Sequence, residues 1–181
     1  MDIAMLEALG RRITTLRQAR ELSLSALAVK AGVAKSNLSN LEQGRGNPTL
    51  DTLWRLAKQL KVPFGVLIAT EVGMASSVID NGMYITLLGQ GSAAHPIDAY
   101  LMRVEAGASR LAEPHTCGSE EHIMVLKGEV EVGHHDATRQ LGPGETTRFA
   151  ADHVHIYRAL DEDVAMLVTI IYPPVTQDHP A

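Results

Sequence analysis

Residues Leu22–Gly44, "LSLSALAVKAGVAKSNLSNLEQG", decide how the first third of the chain is read. Ser23 stands where a helix N-cap is favoured, because its hydroxyl can accept from an amide that the first turn leaves without a partner. Leu24, Leu27 and Ala28 follow at helical spacing on one side. Gly32 suits the left-handed residue that ends a helix. A second short helix comes next, with Leu38 and Leu41 inward and Lys35, Ser36, Asn37, Ser39 and Asn40 outward, closed by Gly44. Amides, hydroxyls and an ammonium on one exposed helix can donate to and accept from base edges. A polar outer face is equally normal on a solvated helix, so this helix by itself does not decide a function.

The neighbours extend the pattern. Upstream, Leu6, Leu9, Ile13 and Leu16 form one stripe of an amphipathic helix, with Arg11, Arg12, Arg17 and Arg20 largely off it. Downstream, "NPTLDTLWRLAKQL" (47–60) opens a helix with Thr49 as its cap and Leu53, Leu56, Ala57 and Leu60 on the buried stripe. Pro63 can start a short fifth helix, "PFGVLIA". Two short helices joined by a tight glycine turn, the second bearing the polar face, suggest a helix-turn-helix that binds DNA.

Charge divides the chain in two. Residues 1–69 hold ten Lys+Arg against five Asp+Glu, whereas residues 70–181 hold six against sixteen, with all eight histidines and the single cysteine. The first part suits a polyanion, and the second carries the ligand chemistry. "ATEVGMASS" (69–77) loses helical periodicity, so we expect domains at 1–69 and 79–181 joined by a linker at 70–78. One cysteine forms no internal disulfide, and "MDIAMLEALGRR" lacks a targeting pattern. The late apolar run "VAMLVTIIY" is too short to span a bilayer. These features imply a cytoplasmic protein with no membrane partner.

The second part reads as short strands: "MYITLLG", "AYLMRVEAG", "EHIMVLKG", "EVEVG", "ETTRFA", "HIYRAL" and "VAMLVTIIY". Such spacing implies an antiparallel sandwich or barrel. "LKGEVEV" reads as a hairpin turning at Gly128. "PHTCGSEEHIMVLKG" (114–128) gathers two histidines, the cysteine and two glutamates. On an extended strand His115 and Cys117 share a side. His122 falls opposite Glu121, Glu120 reads as solvated, and His134 and His135 read as a turn. His153 is read as exposed or as a partner supporting a ligand. Arg103, Arg148 and Tyr157 lie on strands whose facing the sequence leaves open.

Two resemblances sharpen this. Residues 22–63, through "AGV", "LSNLEQG" and "NPTLDTL", resemble the xenobiotic-response-element (XRE) family of phage-repressor-like regulators, over roughly residues 6–69. The resemblance implies a five-helix domain that binds operator DNA, with Glu42 structural and Arg45 touching backbone phosphate or the minor groove. Leu24 stands where many members have a glutamine, which removes one usual DNA contact. His115, Cys117, Glu121 and Gly128 resemble the first cupin motif, with cysteine in place of its second histidine. "GPGETTRFAADHVHIY" (142–157) resembles the second motif, with His155 as its histidine, although Val154 and Ala159 replace the usual proline and asparagine. The cupin resemblance spans about residues 80–173. It implies an all-β jelly-roll (double-stranded β-helix) domain in which His115, Cys117, Glu121 and His155 hold a metal. Sulfur among the donors points to zinc, with iron or an empty site as alternatives.

Together these imply a ligand-responsive transcription regulator, with no catalytic residues. Its helical domain would bind a palindromic operator as a homodimer, and its cupin would bind a small-molecule effector. The rival is a metal-dependent cupin enzyme, since a hydroxypropylphosphonate epoxidase family also joins such helices to a cupin. Cys117 argues against it, because a bound thiolate fills a coordination position and oxidises easily.

Overall fold

The structure is a computed structural model that describes residues 3–69, 77–92 and 94–174. Most of the expected linker, 70–76, and His179 lie outside the described residues. The chain forms two compact units, Met1–Leu87 and Leu88–Ala181.

The first unit holds five helices: α1 (Ile3–Gln18), α2 (Leu24–Ala31), α3 (Lys35–Glu42), α4 (Leu50–Gln59) and α5 (Phe64–Ile68). Their ends follow the capping residues. Ser23 Oγ accepts from Ala26 N at 3.1 Å, and Thr49 Oγ1 accepts from Thr52 N at 3.2 Å. Gly32 ends α2 in the left-handed region at φ 62°. Leu9, Ile13, Leu27, Leu38, Leu53 and Phe64 fill the core, and Trp54 stacks on Phe64 with ring centroids 4.2 Å apart. Gly10 lets α1 close on the end of α3, since a Cβ there would stand 2.5 Å from the Leu41 carbonyl oxygen.

A hairpin belongs to this unit as well. β1 (Ser77–Asp80) and β2 (Met83–Gln90) pair across Asn81 and Gly82, both at positive φ. Asn-Gly is the strongest short hairpin signal, and the sequence reading missed it. Asp80 Oδ2 accepts from Leu50 N at 2.9 Å, so the hairpin caps α4. That bond ties the hairpin to the helices of this unit.

The second unit is two antiparallel sheets. β3 (Ile97–Val104), β10 (Val164–Ile171), β5 (Glu120–Lys127) and β8 (Thr146–Ala150) pair in that order. The other sheet runs β4 (Ser109–Ala112), β9 (His155–Ala159), β6 (Val130–His134) and β7 (Ala137–Leu141). Alternation buries one face, most clearly along β10, where Val164, Met166, Val168 and Ile170 are buried. One expectation fails here. β5 and β6 are not a hairpin: they lie in different sheets, and Gly128 at φ 77° carries the chain between them. A Cβ at Gly128 would stand 2.6 Å from the Asp163 carbonyl oxygen, so this glycine marks a close crossing rather than a hairpin turn. The hairpin partner of β6 is β7, so His134 ends a strand and only His135 sits in the turn. No helix among the described residues is long and apolar enough to cross a membrane.

Candidate metal centre and nucleic-acid face

Three of the four expected metal ligands come together. Glu121 lies on the buried face of β5, and His155 opens β9 in the opposite sheet. His115 precedes β5 in a segment held by its own amide, which donates to the Ala151 carbonyl at 2.9 Å. One ligand atom from each of His115, Glu121 and His155 lies within 4.8 Å of the others, and all three residues are buried.

Hydrogen bonds orient the group. His115 Nε2 lies 2.8 Å from Glu121 Oε1, and His155 Nε2 lies 3.5 Å from the same oxygen. Tyr157 donates its hydroxyl to Glu121 Oε2 from the facing sheet. His155 Nδ1 donates to the His153 carbonyl at 2.8 Å, which leaves the lone pair of the neutral ring on Nε2. His155 Nε2 is buried and makes no hydrogen bond among the described residues. A ring fixed through Nδ1 with a buried, lone-pair-bearing Nε2 beside a carboxylate fits a divalent cation.

The electrostatics agree. Burial alone would raise the Glu121 carboxyl, but the hydrogen bond from His115 and the close approach of the His155 ring outweigh it and hold the group well below the usual carboxylate range. Burial pushes His115 down despite Glu121. For His155, burial is opposed by the nearby Glu121 carboxylate and the hydrogen bond to the His153 carbonyl, and the net direction is up. Burial, with the Glu121 charge, pushes Tyr157 well above its ordinary value, so it remains a donor.

Cys117, the expected fourth ligand, is not in the group. It is exposed. The parity argument fails because Ser119 N donates to the Thr116 carbonyl and Gly118 takes φ 81°, which turns the strand that the argument assumed. The Cys117 thiol lies instead beside Asp152, whose carboxylate accepts from Gly118 N at 2.8 Å. The His153 ring is exposed, and only its carbonyl serves the site. Arg103 and Arg148 are exposed, Tyr157 is buried, and His122 and Glu120 are removed from the cluster. Tyr157 was legible in sequence only as a strand residue, because nothing local states which way it faces.

In the helical unit, Lys35, Ser36, Asn37, Asn40 and Arg45 are exposed. Ser39 is half-buried, and its Oγ accepts from Gln43 Nε2 at 3.1 Å. Asn37, Asn40 and Arg45 line one cleft with Asn47, Thr49 and Thr52. Glu42 takes no part in that face: Arg17 Nε and Nη2 reach its two oxygens at 2.6 and 2.8 Å. The fork ties α1 to α3, which is the structural role expected of Glu42.

A helix-turn-helix unit and a two-sheet unit with an interior His/Glu/His group define a two-domain regulator class with a cupin. Family comparisons agree. A model described as Helix-turn-helix matches residues 13–67, and one described as Cupin domain matches residues 100–171. The chain is 34% identical over 176 residues to the HTH-type transcriptional regulator SutR of Escherichia coli (strain K12), covering 93% of this chain and 99% of that protein. Its first part is 41% identical over 61 residues to the uncharacterized HTH-type transcriptional regulator RghRB of Bacillus subtilis (strain 168), covering 33% of this chain and 44% of that one. A solved HTH_3 family transcriptional regulator from Vibrio cholerae superposes with a TM-score of 0.85 at 29% identity, covering 96% of this chain and 99% of the other. The chain belongs to the helix-turn-helix family of transcriptional regulators that carry a cupin domain.

Proposed function

We propose that the protein binds operator DNA through α3 and tunes that binding with a small molecule held in its cupin domain. The observation that carries this is the single cleft shared by Asn37, Asn40 and Arg45, on a helix whose other side, Leu38 and Leu41, is buried. Lys35 and Ser36 extend the same exposed face, and Ser39 supports it from within. One such helix reads too few base pairs, so the functional form is a homodimer on a palindrome with half-sites about 34 Å apart. The effector need shift the balance between dimer geometries by only about 1–3 kcal/mol. The protein acts in the cytoplasm. The test is selection of a random duplex pool on the purified full chain. Enrichment of a palindromic sequence supports the reading, and retention of all sequences alike overturns it.

His115, Glu121 and His155 would hold a divalent metal in the cupin, which would polarise a bound ligand's oxygen or nitrogen. The expectation of zinc rested on a sulfur donor. With Cys117 exposed, nitrogen and oxygen remain, and zinc and iron(II) are both suited. The same change favours the rival reading, since two histidines and one carboxylate also form the donor set of iron oxygenases. What supports the regulator is the exposed, amide-bearing face of α3, together with a regulator relative that matches along nearly the whole chain. Oxygen uptake by the iron-loaded protein in the presence of a bound organic ligand would support the rival.

A further inference from the structure

We infer that a groove on the outer side of β5 and β8 binds a small amphiphilic organic anion, its oxyanion head on Arg139 and Arg148 and its apolar body on Met124 and Leu167. The inference goes beyond the effector reading above and does not depend on it, since none of His115, Glu121 and His155 lines this groove. Strand register builds its floor. His122 stands opposite Arg148 on one side and Thr169 on the other, and Met124 stands opposite Thr146 and Leu167. Directly opposed residues of antiparallel strands share a face. Glu121 and Ile123 are buried, so alternation turns His122 and Met124 outward. The result is two rows about 7 Å apart along the strands. One row is polar, with Thr169, His122 and Arg148. The other is mainly apolar, with Leu167 and Met124, and ends at Thr146.

The groove encloses about 650 Å³, a size that suits a small molecule. β8 and β7 are each the last strand of their sheet, and Arg139 enters the groove from β7. Two guanidiniums supplied by different sheets thus meet at one cavity. Neither Arg139 nor Arg148 makes a hydrogen bond or ion pair among the described residues, whereas Arg158 on β9 is paired with Glu131 at 2.7 Å. No Asp or Glu among the described residues lines the groove. Residues 70–181 hold sixteen acidic residues against six basic ones, so a wall with two arginines and no acid runs against the composition around it. One exposed arginine is ordinarily solvated and would carry nothing. Two forks on a single cavity match the oxygens of a carboxylate or phosphate, which a guanidinium holds bidentately. His122 Nε2 lies 3.5 Å from Glu120 Oε2, so this ring counts here as a hydrogen-bonding group and not as a charge. The hydroxyls of Thr146 and Thr169 add donors. Met124, 42% exposed, and Leu167 give the apolar body a surface to cover.

The test is methyl NMR of the full chain labelled at methionine, with the Met124 signal assigned through Met124→Leu. The probes are hexanoate and hexyl phosphate. Hexanol supplies the body without a head, and acetate and inorganic phosphate supply each head without a body. At least one of the two amphiphilic anions should shift the Met124 methyl and bind about tenfold or more tightly than hexanol and than its own head alone. Which of them does so says whether the head is a carboxylate or a phosphate. Arg139→Gln and Arg148→Gln should each weaken that anion about tenfold. Both positions are exposed, and circular dichroism melts without ligand check that the variants fold. No shift of Met124 with either anion at millimolar concentration, hexanol binding as tightly as the anion, or either folded arginine variant binding as the parent does would each overturn the inference. A Met124 signal that moves with protein concentration or with duplex DNA, and with none of the probes, would overturn it too, by putting another copy or DNA on this face.

Discussion

Tyr157 donates its hydroxyl proton to Oε2 of Glu121 across the two sheets of the cupin unit, and Oε1 of the same carboxylate is left facing both histidines. One phenol therefore orients the carboxylate that the two imidazoles share. Tyr157→Phe removes that donor and strands a buried oxygen, a loss of about 1–3 kcal/mol in stability. Metal affinity should fall about 10–100-fold, read by competition with a chelator. Unchanged affinity would mean that Tyr157 does not orient the group.

Cys117 and His155 make a matched comparison. Cys117 is exposed beside Asp152, whereas His155 is fully buried in the cluster. After identical purification, Cys117→Ser should carry as much metal as the parent. His155→Ala and Glu121→Gln should carry little. Elemental analysis decides this, and metal lost with the serine variant would return the thiol to the ligand set.

Arg17 and Glu42 form a two-pronged ion pair whose side chains are only 13% and 10% exposed. Breaking one partner leaves a nearly buried charge, so Glu42→Ala should cost about 3 kcal/mol. Replacing both by leucine should recover most of that loss. Denaturant melts followed at Trp54, the only tryptophan, report this unit. Equal losses in the single and double variants would contradict the account.

Gly10→Ala tests the close approach of α1 to α3. Alanine is the better helix former by about 1 kcal/mol. Its Cβ, however, would meet the carbonyl oxygens of Leu41 at 2.5 Å and Glu42 at 2.8 Å. The contact should win, and the melting temperature should drop. A rise would mean that α1 can move away without loss.

On the DNA face, different losses are expected at different positions. Asn37→Ala or Lys35→Ala should weaken operator binding by about 1–3 kcal/mol and relax base preference. Arg45→Ala should weaken all sequences alike and reduce the salt slope by about 1. Anisotropy titrations on matched and scrambled duplexes at several salt concentrations separate the two patterns. Asn37→Ala with base preference intact would remove it from the reading set.

Local rules were enough for the five helices. Ser23, Gly32 and Thr49 mark helix ends by satisfying backbone groups within three or four residues, and the leucine stripes follow from helical period. His115, Glu121 and His155 could be named from motif spacing because each motif is a contiguous stretch. Contacts across strands were not legible. Parity put Cys117 beside His115 on an assumed straight strand, and a turn through Gly118 undid that. "LKGEVEV" alternates like a hairpin, yet alternation cannot say which sheet a strand joins, and β5 and β6 part company. The same limit hid Tyr157, whose inward facing depends on the distant carboxylate of Glu121. Period and capping are properties of neighbouring residues and are written in the chain. Register and sheet membership are set by the joint burial of segments far apart in sequence, so only the folded molecule decides them.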